Sequence, residues 1–502
     1  MSAIAGVLGA ADDKTVLHML EKMQHRGEEK TLISRGQVTI GHVELPTDVT
    51  EHSIQDEGAL FLDGRVFEDG ATLLTPSALL QRLTKQNPQT ALAGVTGGFS
   101  LVAFRRGKGV AAPNGAAAAA GDVVIAQDVL GKKPLYLGYD GDRVLFSSEI
   151  KSLVGIAKDI VEFPCGTVST DGKTFRKFAS LEVPPPEVTD PDEAVEIIRR
   201  ELRAAVARQL PSSGTCGVFL SGGLDSSIIA CLARELTSDL KFFSVGVQGS
   251  EDVARARELA EYLGVEHHVR TFSLADMEKV LPEAIYHMES YDAPLIRSCI
   301  PNYMVAEMAS HHDVRVVLIG EGGDELFGGY AHLKDVPPAH LHDELADLLK
   351  ALHNTGLQRC DRMPMAWGVE ARAPFLDEQF VKAAMAIHPS LKISQDGQVE
   401  KWILRKAFEK ELPGSIAWRK KQMFSQGAGS MHMLEKALAS RVSDEDVRRE
   451  SEAVERWRLR NREELHYFRV FRGFFGDIAS LPPVGRTKVL YQDRANPDPA
   501  FT

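Results

Sequence analysis

Two rhythms of apolar and polar positions divide this chain. In the first part, Met1-Ser2-Ala3-Ile4-Ala5-Gly6-Val7-Leu8 reads as a buried strand. Val16, Leu17, Leu20 and Met23 then recur at helical spacing. Short strand-like runs follow at 38–43, 59–62, 99–104, 123–126 and 134–139, separated by turn residues. Residues 111–121 are low in complexity, contain Asn114-Gly115, and read as a loose hairpin loop. Packed antiparallel sheets with a few helices are expected here.

The run Glu182-Val183-Pro184-Pro185-Pro186-Glu187-Val188 marks the best domain boundary, because three prolines continue neither a helix nor a central strand. A helix should start just after it, with Asp190 as N-cap, Pro191 at N1, Glu193 at N3, and an apolar face of Val195, Ile198, Leu202 and Val206. Strands and helices then alternate. Strands are read at 218–220, 242–247 and 314–319, with a helix at 253–263 between the last two. Such alternation implies a parallel sheet with crossover helices, and ligands of such sheets sit at the C-terminal strand ends. All three strands run into distinctive sequences: Ser221-Gly222-Gly223, Gly249-Ser250-Glu251-Asp252 and Gly320-Glu321-Gly322-Gly323-Asp324-Glu325. The region after Asp335 reads as mostly helical, and 482–502 as an irregular tail.

Leu220-Ser221-Gly222-Gly223-Leu224-Asp225-Ser226-Ser227 is the central chemical motif. A strand, a Gly/Ser turn and a helix N-terminus together make an anion site, since glycine lets the backbone approach and first-turn N–H groups point outward. Asp225 would repel a phosphate unless a cation lay between them, and a hard divalent ion such as Mg²⁺ resolves the conflict. The loop is not a Walker pattern, because it holds no Gly-Lys-Ser/Thr. Adjacent His267 and His268 would point to opposite faces of a strand, which argues against a shared metal ion.

Composition narrows the class. The chain has 502 residues, too many for one ordinary core, with 44% hydrophobic and 25% charged residues. A net charge of −12 argues against a general nucleic-acid surface. Five scattered cysteines without CxxC spacing suit reduced thiols. No apolar run reaches membrane-spanning length. The expectation is a soluble, cytoplasmic protein that binds neither nucleic acid nor membrane.

The loop resembles the SGGxDSS loop of the ATP pyrophosphatases, which split ATP into AMP and pyrophosphate. Over nearly its whole length the chain looks like a class B asparagine synthetase. The resemblance rests on Phe219 to Ser227, Ser244-Val245-Gly246-Val247, Glu289-Ser290-Tyr291-Asp292, Ile296-Arg297 and Gly320 to Tyr330. It continues in Ala366-Trp367-Gly368-Val369-Glu370-Ala371-Arg372-Ala373-Pro374-Phe375-Leu376-Asp377, Glu400-Lys401-Trp402-Ile403-Leu404-Arg405 and Trp418-Arg419-Lys420-Lys421-Gln422-Met423-Phe424-Ser425. It implies an α/β fold: an Ntn-type αββα antiparallel sandwich at 1–182, a parallel ATP-pyrophosphatase domain with added helices at 190–480, and the tail at 481–502. It implies ATP and Mg²⁺ as cofactors and an AMP-forming carbon–nitrogen ligase. Leu220, Val245 and Gly320 would hold adenine; Ser221, Gly222, Gly223 and Ser226 would cradle pyrophosphate; Asp225 and Asp324 would hold the metal. Lys421 would neutralise phosphate charge, and Glu321 would orient or deprotonate the attacking nitrogen. Arg297 is a natural clamp for an α-carboxylate, with Glu289 and Asp292 holding an amine or forming a wall.

The first half resembles the family's glutamine-hydrolysing domain only as a shell. It keeps His25-Arg26-Gly27, Gly41-His42, Gly97-Gly98-Phe99, the segment from Asp128 to Tyr136, Ser147-Ser148-Glu149-Ile150-Lys151 and Phe163-Pro164-Cys165-Gly166. Where the family has a nucleophilic Cys after Met1, this chain has Ser2, whose hydroxyl is much harder to activate. Glu44 stands where the family has a carboxylate-binding Arg, and Asp63-Gly64-Arg65 where it reads Asn-Gly-Glu. The family's Gly-Ser-Asp is replaced near Thr75-Pro76-Ser77. Charge reversal at such sites costs binding heavily. The expected reaction is therefore amidation of aspartate or a close analogue by ammonia, without working glutaminase. Partners are a small carboxylic acid and ammonia or a small amine, with room for a homodimer. Two alternatives stay open. Pro294-Leu295 and Cys299-Ile300 replace polar pairs of the family, which admits another acid or amine. A β-lactam-synthetase-like cyclase is the other, although such cyclases resemble this chain less at Glu321, where they carry Tyr. A silent binding protein fits poorly with Asp225, Glu321, Asp324 and Lys421 all kept.

Overall fold

Period-two alternation builds two antiparallel sheets in the first half. A computed structural model describes residues 2–45, 52–55, 58–105, 123–394, 396–397, 399–420, 430–439, 441–452, 459–476, 484–485 and 487. The chain divides into two units, Met1–Leu181 and Glu182–Gly476 being their main segments. The loop read at 111–121, Lys421 and nearly all of the tail lie outside the described residues.

In the first unit the strands are β1 (Ser2–Leu8), β2 (Glu29–Arg35), β3 (Val38–Glu44), β4 (His52–Gln55), β5 (Gly58–Glu68), β6 (Thr72–Leu73), β7 (Val95–Arg105), β8 (Val123–Gln127), β9 (Tyr136–Asp140), β10 (Arg143–Ser147), β11 (Asp159–Glu162), β12 (Thr167–Ser169) and β13 (Phe175–Lys177). One sheet runs β11-β9-β10-β1-β3-β2 and the other β13-β12-β8-β7-β5-β4, with β6 beside β5. Ile4, Ile40, Phe61, Val102, Ile125, Leu137 and Phe146 fill the space between the sheets. Helix α1 (Asp13–Lys22) covers β1 and β3, while α2 (Pro76–Lys85) and α3 (Pro88–Leu92) flank the second sheet, whose outer core includes Leu79, Leu80, Leu83 and Leu92. The layers are thus α-β-β-α. Leu17, read as part of the apolar stripe of α1, is 40% exposed; Val16, Met19 and Leu20 make the buried face instead.

The second unit opens with α4 (Pro191–Gln209), capped by Asp190 through the Glu193 N–H at 2.9 Å. Strand β14 (Cys216–Phe219), α5 (Leu224–Leu236), β15 (Leu240–Gly246), α6 (Glu251–Leu263) and β16 (Glu266–Thr271) follow. After them come α7 (Leu274–Met288), α8 (Ala293–His311), β17 (Val316–Leu318) and α9 (Gly323–Phe327). Further on lie α10 (Pro338–Lys350), α11 (Gly356–Met365), β18 (Glu370–Arg372), α12 (Glu378–Met385) and α13 (Trp402–Phe408). All five strands are parallel, in the order β16-β15-β14-β17-β18. The chain therefore reverses direction across the sheet between β14 and β17, and their C-terminal ends frame the switch-point crevice where such sheets bind ligands. Strand β18 supplies the outer edge beyond β17; its three residues are too short to show a period. Among the described residues no helix is long and apolar enough to cross a membrane.

Candidate active site

The switch point brings together the two glycine-rich loops singled out in the sequence. Leu220 leaves β14 with its N–H on the Phe243 carbonyl at 2.9 Å. Its own carbonyl accepts the Ser244 hydroxyl at 2.5 Å, and that hydroxyl meets His267 Nε2 at 2.8 Å. His268 faces elsewhere, stacked on His312 with centroids 3.7 Å apart, so the adjacent histidines diverge as expected for a strand. The turn closes on itself: Ser221 Oγ and Ser226 Oγ are 2.9 Å apart, and the Gly223 N–H donates to Ser221 Oγ at 3.3 Å. Gly222 sits at φ +69°, and a Cβ there would come 2.3 Å from the Asp252 carbonyl oxygen. Its carbonyl accepts Arg419 Nη1 at 3.2 Å, while Arg419 also pairs with Asp252 at 2.7 Å. Helix α5 takes Gly223 as its N-cap, which as glycine offers no side-chain cap. Its N-terminus thus faces the turn, the arrangement that favours an anion.

The second loop carries acids against this turn. Asp225 and Asp324 each lie 2.5 Å from the ammonium of Lys401, which is 1% exposed. Asp225 Oδ1 is buried without a hydrogen-bond partner. Gly329 is needed here: a Cβ would fall 1.9 Å from Asp324 Oδ1 and 2.2 Å from Lys401 Cε. Lys401 holds φ +56° at the start of α13. Lys401 belongs to the Glu400-Lys401-Trp402-Ile403-Leu404-Arg405 motif, but the sequence alone assigns it no role. A lysine 176 residues from its carboxylate carries no local signal of the pairing.

Glu321 is clasped by Arg359, whose Nη2 donates to both carboxylate oxygens at 2.9 and 2.8 Å. Glu325 is buried against the Tyr330 hydroxyl, 2.5 Å away. Burial, and then the charges of Glu321 and Asp324, push its carboxyl up to about 7. A carboxyl raised above its unfolded value stabilises fully only below that unfolded value, and the contribution fades as pH rises through about 7. Glu325→Gln keeps a neutral hydrogen-bonding group. The fall in melting temperature between about pH 5 and 8 should therefore be smaller in the variant than in the parent. Equal falls would rule Glu325 out as its cause.

Arg297, Glu289 and Asp292, expected from sequence to hold the acid, are each engaged by other protein groups. Arg297 donates through Nε to Glu463 at 2.9 Å and through Nη2 to the same carboxylate. Glu289, at φ +56°, pairs with Arg362 at 3.0 Å, both fully buried. Asp292 caps α8 through the Leu295 N–H at 3.1 Å and also takes Arg460 and the Thr487 N–H, each at 3.1 Å. Leu295, Cys299 and Ile300, the apolar replacements flanking Arg297, are buried in α8. Val245 stands near the end of β15 and Gly320 just beyond β17, as Leu220 stands just beyond β14, the strand that pairs with both.

Comparison with known proteins gives the family. The Asparagine synthase family model matches residues 197–341 and 335–467. A Glutamine amidotransferase domain model matches residues 79–155. The glutamine-hydrolysing asparagine synthetase of Sandersonia aurantiaca is 31% identical over 527 residues, covering 96% of this chain and 97% of that one. The chain belongs to the asparagine synthase family. Asparagine synthetase B of Escherichia coli is 38% identical over 348 residues, covering 64% of this chain; that match spans 62% of the bacterial enzyme's length. Among solved structures, the Bacillus subtilis glutamine phosphoribosylpyrophosphate amidotransferase aligns at a TM-score of 0.28 and 14% identity, covering 53% of this chain and 65% of that one. A likeness that weak carries nothing about the reaction.

In the amidotransferase-like unit, this family member's departures sit on internal pairs. The Ser2 hydroxyl is buried and donates to the Leu62 carbonyl at 3.0 Å. Asp63 lies 3.5 Å from both Arg26 and Lys133. Arg26 in turn donates to Glu149 at 2.5 Å and to the Ser2 carbonyl at 3.2 Å. Glu44 faces His52 at 2.7 Å. Thr75 and Pro76 open α2, with the Thr75 hydroxyl accepting the Ala78 N–H at 3.2 Å.

Proposed function

We propose that this chain adenylates a small carboxylic acid, aspartate or a close analogue, with ATP and passes ammonia to the acyl-adenylate. The observation that carries the reading is the convergence of the Ser221–Ser227 turn, the Asp225/Asp324/Lys401 cluster and Glu321 on one switch point.

In the first step a carboxylate oxygen attacks the α-phosphorus, and pyrophosphate leaves with the electron pair of the broken P–O bond. The turn and the α5 N-terminus hold the phosphates, and Leu220, Val245 and Gly320 bound the adenine. Arg419 braces the turn from outside through the Gly222 carbonyl. Asp225 and Asp324 suit Mg²⁺: both are hard oxygen donors, and the buried Oδ1 of Asp225 is unpartnered. The ion, when bound, supplies positive charge to the phosphate oxygens. Lys401 supplies a second positive charge on the same side, and Lys421 keeps the role its motif implies.

In the second step the nitrogen attacks the acyl carbon, AMP leaves with the C–O electron pair, and the nitrogen sheds a proton. Glu321, fixed from both oxygens by Arg359, is the group to orient that nitrogen or accept the proton. Arg297 would grip the substrate carboxylate once Glu463 yields it.

Three features support ammonia from solution or a partner as the nitrogen source: Ser2 stands where the family has a thiol, Glu44 where it has a cation, and Asp63 is held in ion pairs. A less polar acid is the second reading, supported by the buried Leu295, Cys299 and Ile300 beside Arg297. The test uses candidate acids labelled with ¹⁸O in the carboxylate, with ATP, Mg²⁺ and ammonia. One ¹⁸O should appear in the AMP phosphate for the true substrate. Amide formed with unlabelled AMP would eliminate an acyl-adenylate, and silence from every acid would eliminate the ligase.

A further inference from the structure

A second cluster of titratable groups lies within the amidotransferase-like unit. His42 and Glu44 are two residues apart on β3, so both side chains leave the same face. Pairing with β1 sets Ile4 opposite His42 and Ser2 opposite Glu44. His52 comes from β4 in the other sheet, opposite Phe61. One donor atom from each of the three residues lies within 4.8 Å of the others. His42 Nδ1 stands 3.9 Å from Glu44 Oε2, and His52 Nδ1 2.7 Å from Glu44 Oε1. A tetrahedral ion with bonds of about 2.0–2.2 Å spaces its ligands roughly 3.3–3.6 Å apart, between these two separations.

Hydrogen bonding does not account for the arrangement. His42 is 0% exposed, and neither ring nitrogen has a hydrogen-bond partner of good geometry, the Leu62 backbone giving only a weak contact. His52 Nδ1 likewise lies off hydrogen-bond geometry despite its closeness to Glu44. The His42 ring is fixed by stacking on Phe61 at 5.1 Å. A fully buried histidine without a well-formed hydrogen bond, set beside a carboxylate, calls for an explanation other than hydrogen bonding.

We propose that His42, Glu44 and His52 bind one divalent ion of the zinc class. Two imidazoles and one carboxylate favour such a borderline ion over Mg²⁺, and three protein ligands leave a fourth position open. The site is independent of the adenylation reading and survives its failure.

The test uses untagged full-length protein, stripped with a chelator and titrated with Zn²⁺, then with Co²⁺ as a spectroscopic probe. One equivalent of Zn²⁺ should bind per chain, and Co²⁺ should give the intense visible bands of a tetrahedral site. Glu44→Gln and His52→Ala should each weaken Zn²⁺ binding on the order of 100-fold or more, beyond what loss of an outer partner costs. His52 is on the edge strand and its side chain is 31% exposed, so its removal should spare the core; circular dichroism checks this. Asp225→Asn should bind Zn²⁺ as the parent does. Substoichiometric Zn²⁺ in the parent, or undiminished binding in folded Glu44→Gln and His52→Ala, overturns the proposal.

Discussion

Asp324→Ala is expected to lower acid-dependent pyrophosphate release about 10³-fold or more, mostly in kcat, with the fold retained. The side chain is 17% exposed and sits on a short helix, so its removal opens no large cavity. What it removes is charge. Asp225 would be left alone with Lys401, and the site would lose one of its two hard donors for a cation facing the phosphates. The same variant should lose the dependence of activity on Mg²⁺ in the millimolar range. Retention of more than about a tenth of the parent rate would show that Asp324 does not serve adenylation.

Lys401→Met should be nearly as damaging, and in a distinguishable way. Removing one partner of a buried ion cluster costs about 3–5 kcal/mol, because the remaining charges stay buried. Here two carboxylates would face each other with no counterion. The variant should melt earlier than the parent and recover more of its melting temperature on addition of Mg²⁺, since the ion need not displace an ammonium. Its pyrophosphate release should fall about 10²-fold or more. Equal effects of Mg²⁺ on the two proteins would mean that the carboxylates do not share a cation site.

How much of this could be read from sequence varied with the range of the interaction. The Ser221–Ser227 turn was legible because glycine and serine between a buried strand and a helix have few other uses. The α4 start was legible because Asp190, Pro191 and Glu193 act within one turn. Strand β18 was not: three residues have no measurable period, and only its pairing with β17 makes it a strand. Among the site residues, Asp225 and Asp324 were paired by the family resemblance, and in the structure both lie against Lys401. The lysine that joins them was invisible, being distant in sequence and set by an unusual backbone angle. Arg297 shows the converse. Its type and motif name a carboxylate clamp, yet the structure gives it a carboxylate of its own, Glu463, 166 residues away. The resemblance identified Ser2, Glu44 and Asp63 as departures, but not the pairs each of them forms.

The central claim is that the adenylating half works while the first unit no longer supplies nitrogen. It is tested most directly by measuring amide product and pyrophosphate from ATP, Mg²⁺ and the substrate acid, with ammonia or glutamine offered separately to the same preparation. The account predicts product with ammonia, no product with glutamine, no glutamate released, and no change on Ser2→Ala. Glutamine-supported product matching that from ammonia, lost on Ser2→Ala, would contradict it.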